Sequence, residues 1–439
     1  MSKRTVGLAA LLILALIGIL YSNPVDYYLV QIKSRGASPA QQWQEDLQYL
    51  AKKMPERHKN LFHSISADEF QQAVDHLKDQ LPNLTDNQSL VELMRLVALV
   101  SSRGRDGHTQ LWPFQEATGF HVFPLRLYLF SDGLFVVDAQ EPYQNAIGAR
   151  LVKIGSTDIE EIFRILDPLI PRDNEMAVKK QGPVMSLAPE ILHALGFIDN
   201  VEAADFTFEK GEEQPFTLHL TPITWNDYRT RFRGFYILPE QEELLYLRKV
   251  WEDFWFTYLE ETNTLYLQYN AVTKKTDSGE TMTRFSRRIE TFIAEHTVDR
   301  MIIDLRHNSG GDNTTYRPLL ERLSKNKAIN QRGKLFTLIG RTTFSAAGNF
   351  ATDMERHTET LFVGEPTGSS PNQYGDAKPL RLPHSKVTVY ISSRYWQKSD
   401  PDDERLWHEP DIAVAFSSQD YFLKRDPVLE AVLNYEVDP

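Results

Sequence analysis

Residues 301–311 read MIIDLRHNSGG. Met301 to Leu305 form a short, nearly continuous apolar run, and Gly310-Gly311 close it. An apolar run too short for a helix that ends on paired glycines predicts a buried strand leaving through a tight turn. A strand with no polar face is covered on both sides, as in a parallel sheet flanked by helices. The neighbouring sequence repeats the pattern. TLYLQY (264–269) reads as a strand and TRFSRRIETFIAEH (283–296) as an amphipathic helix. TYRPLLERLS (315–324) is a helix, KLFTLIG (334–340) a strand, SAAGNFATDMERH (345–357) a helix and LFVGE (361–365) a strand. This alternation predicts an α/β domain over 256–439.

The preceding sequence divides by pattern. Residues 38–115 are predicted to be mainly helical and carry the motif RDGHT (105–109). Within them Ser66 and Glu69 have the spacing of a capping box, and Leu90, Leu93, Leu96 and Val97 recur at helical spacing. Residues 116–222 are strand-rich, with LRLYLF, LFVVDA and RLVKIG separated by turn residues. The stretch AIGARLVKIGSTDIEEIFRIL (146–166) resembles part of a PDZ module, and a plain β-rich region fits the pattern as well. Residues 223–255 form a connecting segment rich in aromatic and charged residues with no clear element. At the start, Lys3 and Arg4 precede an apolar run from Val6 to Leu20. Positive charge followed by an apolar run is an export signal. Leu20 and Ser22 make a poor cleavage site, which favours a retained membrane anchor over 1–24, with the remainder outside the cytoplasm.

The net charge of −12 argues against nucleic acid as the main partner. The chain has no cysteine, which removes disulfides and thiolate chemistry from consideration. No phosphate loop or metal-ligand cluster is visible, so no cofactor is expected. The oligomeric state is not indicated.

Three stretches carry reactive groups. Ser345, in TTFSAAG (342–348), opens a helix of small residues whose N-terminus offers free N–H groups and a positive field. Taken alone, a serine there is most often an N-cap. The turn Asn308-Ser309-Gly310-Gly311 lies at the carboxyl end of a strand, the usual ligand side of an open α/β sheet. Gly310 or Gly311, with Ala346, could donate N–H groups to an oxyanion. His108, in the third stretch, could act as a general base, with His307 and His408 as competitors. For the carboxylate that orients a base, Glu409 is the first choice, Asp106 the second and Glu365 the third. Nucleophile, base and oxyanion donors together imply acyl transfer, as in a serine hydrolase.

The order DGHT, IIDLRHNSGG, TTFSAAG, VGEPTGSSPNQYGD and HEPDI resembles the tail-processing and tricorn-core family of serine peptidases. The resemblance spans most of the chain beyond the N-terminal run. It implies a Clp-protease/crotonase-like β/α spiral for the catalytic domain and a peptide or unfolded protein as substrate. One branch of the family uses a lysine base after a GExTxGK-like motif, but Gly364-Glu365-Pro366-Thr367-Gly368-Ser369-Ser370 has none, and Lys378 is the next lysine. The other branch uses a histidine, which maps onto His108, and a later glutamate, which maps onto Glu409. Gly107, where that branch has a serine, and the stretch Ser102-Arg103-Gly104-Arg105 depart from the pattern. The family also implies an alternative, a non-catalytic binder of peptides or lipophiles with Trp112, Trp396, Trp407, Tyr374, Tyr390 and Tyr395 as cleft aromatics.

Overall fold

The computed structural model describes residues 25–33 and 36–436. The expected anchor over 1–24 lies outside them. Among the described residues, no helix is long and apolar enough to cross a membrane.

A helix, Val25–Lys33, comes first and is followed by α1 (Pro39–Arg57), α2 (Ala67–Gln80) and α3 (Asp86–Leu99). The capping box read at Ser66 is present: its hydroxyl accepts from the Glu69 N–H and the Glu69 carboxylate accepts from the Ser66 N–H. A strand-rich region follows. β1 (Leu125–Phe130), β2 (Gly133–Ala139), β3 (Arg150–Ile154), β4 (Ala204–Glu209) and β5 (Phe216–Leu220) lie side by side in chain order, all antiparallel. Helices α4 (Ile159–Leu166) and α5 (Met176–Met185) are inserted between β3 and β4. The connecting segment is more ordered than its composition suggests. It contains a helix, Trp225–Arg231, and Trp225, Phe235 and Tyr236 pack around Trp112.

The second half is built on a six-stranded sheet. β6 (Phe254–Leu259) is its antiparallel edge, followed by β7 (Thr264–Tyr269), β8 (Arg300–Asp304), β9 (Leu335–Ile339), β10 (Leu361–Gly364) and β13 (Ile412–Ala413), all parallel. Helices α6 (Met282–Glu295), α7 (Arg317–Lys325) and α8 (Ala346–His357) connect β7 to β10. The strands cross the sheet in chain order, as a β/α spiral requires. Successive residues of β8 enter opposite cores. Met301 and Ile303 pack with Leu265, Leu267 and Phe350, whereas Ile302 packs with Tyr266, Phe336 and Val363. Both faces are therefore buried, which is why MIIDL lacks polar alternation. Each fully buried isoleucine contributes about 1.5–3 kcal/mol.

Between β10 and β13 the chain makes a long hairpin, β11 (Asn372–Arg381) with β12 (Thr388–Gln397). It stands apart from the six-stranded sheet. Its apolar residues Leu380, Val389 and Ile391 belong instead to the core of the N-terminal helices and the strand-rich region. The boundary drawn at residue 256 is thus crossed by a hairpin from the second half packed into the first.

Candidate active site

The hairpin explains how a loop 237 residues away reaches Ser345. The Tyr374 N–H donates to the Arg105 carbonyl at 2.8 Å, and Gln110 and Tyr390 exchange two backbone bonds of 2.9 Å. Behind them, the Ser392 hydroxyl donates to Asp106 Oδ1 at 2.6 Å and the Ser392 N–H to the Thr109 hydroxyl at 3.1 Å. Residues 105–110 are thereby pinned along one side of β12, and His108 projects from them.

Ser345 sits where β9 turns into α8, but it does not cap the helix. Its φ is 57° and its ψ −121°, and its hydroxyl makes no capping bond. Such a conformation in a residue with a Cβ costs about 1–3 kcal/mol and persists only if the surroundings impose it. Here the Ser345 N–H donates to the Ser369 hydroxyl at 2.6 Å, and its carbonyl accepts from Gln373 Nε2 at 3.2 Å. Ser369 in turn donates to Gln373 Oε1. Glycine at 348 is required for this arrangement, because a Cβ there would lie 2.4 Å from that of Ser369. Freed from capping, the Ser345 hydroxyl lies 2.9 Å from His108 Nε2.

His108 is half-buried, with its ring stacked on Phe344 at 4.5 Å. Burial holds its pKa below the ordinary histidine value, against the opposing charge of Asp106 and the Tyr374 carbonyl, which favour the charged ring. The ring is therefore neutral at pH 7 and able to accept a proton. Its Nδ1 is buried without a well-formed hydrogen bond.

Two buried carboxylates hold the loop on either side of His108. Asp106 Oδ1 accepts from the Thr109 N–H at 3.0 Å, and its Oδ2 accepts from His58 Nε2 at 2.8 Å. Because His58 Nδ1 accepts from the Asn60 N–H, the proton lies on Nε2. Burial alone would raise the Asp106 carboxyl; the bonds from His58, Ser392 and Thr109 bring it below its usual value. Asp173 Oδ1 accepts from the Gly107 N–H at 2.7 Å and its Oδ2 from the Ser370 N–H at 3.1 Å. Burial pushes its pKa up to about 7. Asp173 thus joins the His108 loop to the loop that fixes the Ser345 backbone. Sequence reading missed it, since a lone aspartate in PRDNE carries no signal.

The glycine turn lies directly against Ser345. A Cβ on Gly310, whose φ is 109°, would come 2.7 Å from that of Ser345 and 2.9 Å from the Ala346 nitrogen. The Gly310 N–H is already engaged by Asn308 Oδ1 at 2.9 Å. Among the described residues, the N–H groups of Gly311 and Ala346 meet no acceptor.

The other expected groups lie elsewhere. Glu409 does not meet the base: it is exposed and lines a surface hollow with Arg332, Glu355 and Asp411. It follows the buried His408, whose Nε2 pairs with the Thr352 hydroxyl behind α8 at 2.9 Å. Glu365 is paired with Arg341 at 2.7 Å. His307 bonds the Tyr246 carbonyl, and burial lowers its pKa to about 4. Lys378 is exposed on the hairpin opposite Ile391. A cavity of about 650 Å³ lies between β1, α4 and the carboxyl ends of β8 and β9; its lining includes Tyr128, Phe163, Tyr236, Arg306 and Arg341, but neither Ser345 nor His108.

No family model and no curated protein matches the sequence. Solved structures do match the fold. Mature CPAF superposes with a TM-score of 0.61 at 12% identity, covering 90% of this chain and 96% of that one. A mutant of CPAF gives 0.62 at 11% identity, covering 91% and 99%. The complex of mature CPAF with lactacystin gives 0.61 at 12% identity, covering 90% and 99%. At this identity the likeness establishes the fold, and it is the fold that the motifs lead one to expect.

Proposed function

We propose that the protein is a serine peptidase. The observation that carries this reading is the 2.9 Å contact between Ser345 Oγ and His108 Nε2, made by a serine whose backbone is held out of its relaxed conformation. In the reaction, His108 takes the hydroxyl proton as Oγ bonds to the peptide carbonyl carbon. The C–N bond then breaks, and the amine leaves with the proton that His108 returns. Water, deprotonated by the same ring, releases the acyl group. The N–H groups of Ala346 and Gly311 are the unspent donors for the oxyanion, and each contributes about two to three orders of magnitude to turnover. Asp106 and Asp173 position the base through the backbone on either side of it. The apolar run Val6–Leu20 after Lys3 and Arg4 supports a membrane tether with the catalytic part outside the cytoplasm.

A second reading, a peptide or lipophile binder without catalysis, is favoured by the large cavity that excludes Ser345. A fluorophosphonate probe followed by peptide mass mapping decides between them. Wild type is expected to be labelled on Ser345 and to cleave an unfolded protein, and Ser345→Ala to do neither. Cleavage by Ser345→Ala at the wild-type rate would remove the assignment. Failure of wild type both to label and to cleave would leave the binder.

A further inference from the structure

Among the described residues, the other buried cations are met by carboxylates or, as at Arg126, by the Gly234 and Ile237 carbonyls. Arg306 lies between Asp304 and Asp426, Arg341 pairs with Glu365, and Lys398 pairs with Asp353. Lys180, on α5, differs. Its ammonium makes no ion pair and no hydrogen bond with any described residue. Its ammonium faces two aromatic rings, Tyr236 at 5.2 Å and Phe344 at 5.7 Å. Burial alone lowers its pKa to about 8, with no compensating charge, so it is still largely protonated at neutral pH. Each ring offsets only a small part of the desolvation of an ammonium group. The half-buried ammonium keeps some contact with water and is left free to take a counter-ion.

The position of Lys180 indicates what brings it. Phe344 immediately precedes Ser345, and the same ring carries the stacked His108. The charge of Lys180 acts on the His108 ring, opposing its protonation. One aromatic side chain therefore separates the ammonium from the reacting groups. A peptide advances about 3.5 Å per residue, so a side chain one or two residues from the scissile bond spans that gap.

We propose that Lys180 is the floor of a subsite for an Asp or Glu side chain of the peptide, close to the bond cleaved. The inference rests on the peptidase reading for the identity of the ligand. Tyr236 and Phe344 wall the subsite, and the incoming carboxylate supplies the missing counter-ion. The bond formed is a charge-assisted one in a partly desolvated place, and its loss is expected to lower kcat/KM about tenfold to a hundredfold.

The test uses fluorogenic peptides identical except for Glu, Gln or Lys at one position flanking the scissile bond, all made as carboxamides so that no terminal carboxylate contributes. For wild type, the Glu:Gln ratio of kcat/KM is expected to be about ten or more at one position. Lys180→Met should bring that ratio near one, Lys180→Arg should retain it, and Lys180→Glu should shift preference to the Lys peptide. Wild-type ratios near one throughout, or a ratio unchanged in Lys180→Met, would overturn the proposal. If wild type cleaves no peptide, the peptidase reading fails and Lys180 is read separately, by fluorescence anisotropy of the labelled peptides on Ser345→Ala protein. Tighter binding of the carboxylate peptide that is lost on adding Lys180→Met supports the subsite; equal binding overturns it.

Discussion

The two halves of the candidate site are held in different ways. Ser345 is fixed largely from within one β/α spiral: the β9–α8 turn, the glycine loop after β8, and Ser369 with Gln373 leading into β11. His108 comes from a loop that belongs to none of these elements. It is secured by side-chain and backbone bonds to β12 and by Asp106 and Asp173. The geometry of Ser345 is therefore set by the spiral and the loops adjoining it, and that of His108 by contacts between distant segments. Damage to the first should register as lost stability together with lost activity. Damage to the second should register first as lost activity.

Removing the base is the most severe test. His108→Ala is expected to lower kcat by about four to six orders of magnitude with little change in melting temperature. Ordinary rates in that variant, measured on the same substrate, would break the comparison at its centre. Asp173→Ala comes next. It leaves the Gly107 and Ser370 N–H groups without acceptors and frees both loops, so kcat/KM should fall about a hundredfold, the scale of an ångström of misplacement. A full-length variant that melts like wild type but has lost this activity would show that Asp173 acts on position. A variant as active as wild type would show that the loop holds itself.

Acidity probes the same half. The folded pKa of His108 lies below 6.5, so the neutral, proton-accepting ring persists as pH falls until that lower value is crossed. The acid limb of kcat/KM should have its midpoint below 6.5 and then fall about tenfold per unit. A midpoint above 6.5 would mean that a carboxylate supports the ring directly. The smallest effect concerns the nucleophile's half. Ser345→Gly and Ser345→Ala both lack the hydroxyl, but only glycine accepts a φ of 57° without strain. In urea unfolding the glycine variant should be more stable than the alanine variant by about 1 kcal/mol. The reverse order would mean that the turn is not strained.

What the sequence disclosed follows the same division. The β8 strand, the glycine turn and Ser345 were legible because their signals are local: apolar runs, paired glycines and a helix of small residues. His108 was reached through its motif, since nothing near it in the chain shows that it meets a serine. Asp173 was invisible because its two partners are 66 and 197 residues away. Glu409 was placed at the base by motif order, but the ring of the preceding His408 turns inward to Thr352 and leaves Glu409 to solvent. The hairpin was also missed, because TVYISSRYWQ (388–397) does not alternate cleanly: Tyr390 faces outward between the buried Val389 and Ile391. Its inner residues are now seen to match the core of the first half.

The separation of His108 from Ser345 along the chain has a consequence for the life of the molecule. A ribosome finishes the imidazole's loop long before it reaches the alcohol, and β12, which docks that loop, emerges later still. A nascent or prematurely ended polypeptide thus holds at most one partner of the pair in place. Whatever chemistry the site performs is withheld until synthesis has passed the hairpin and the segments bearing His108 and Ser345 have closed on each other.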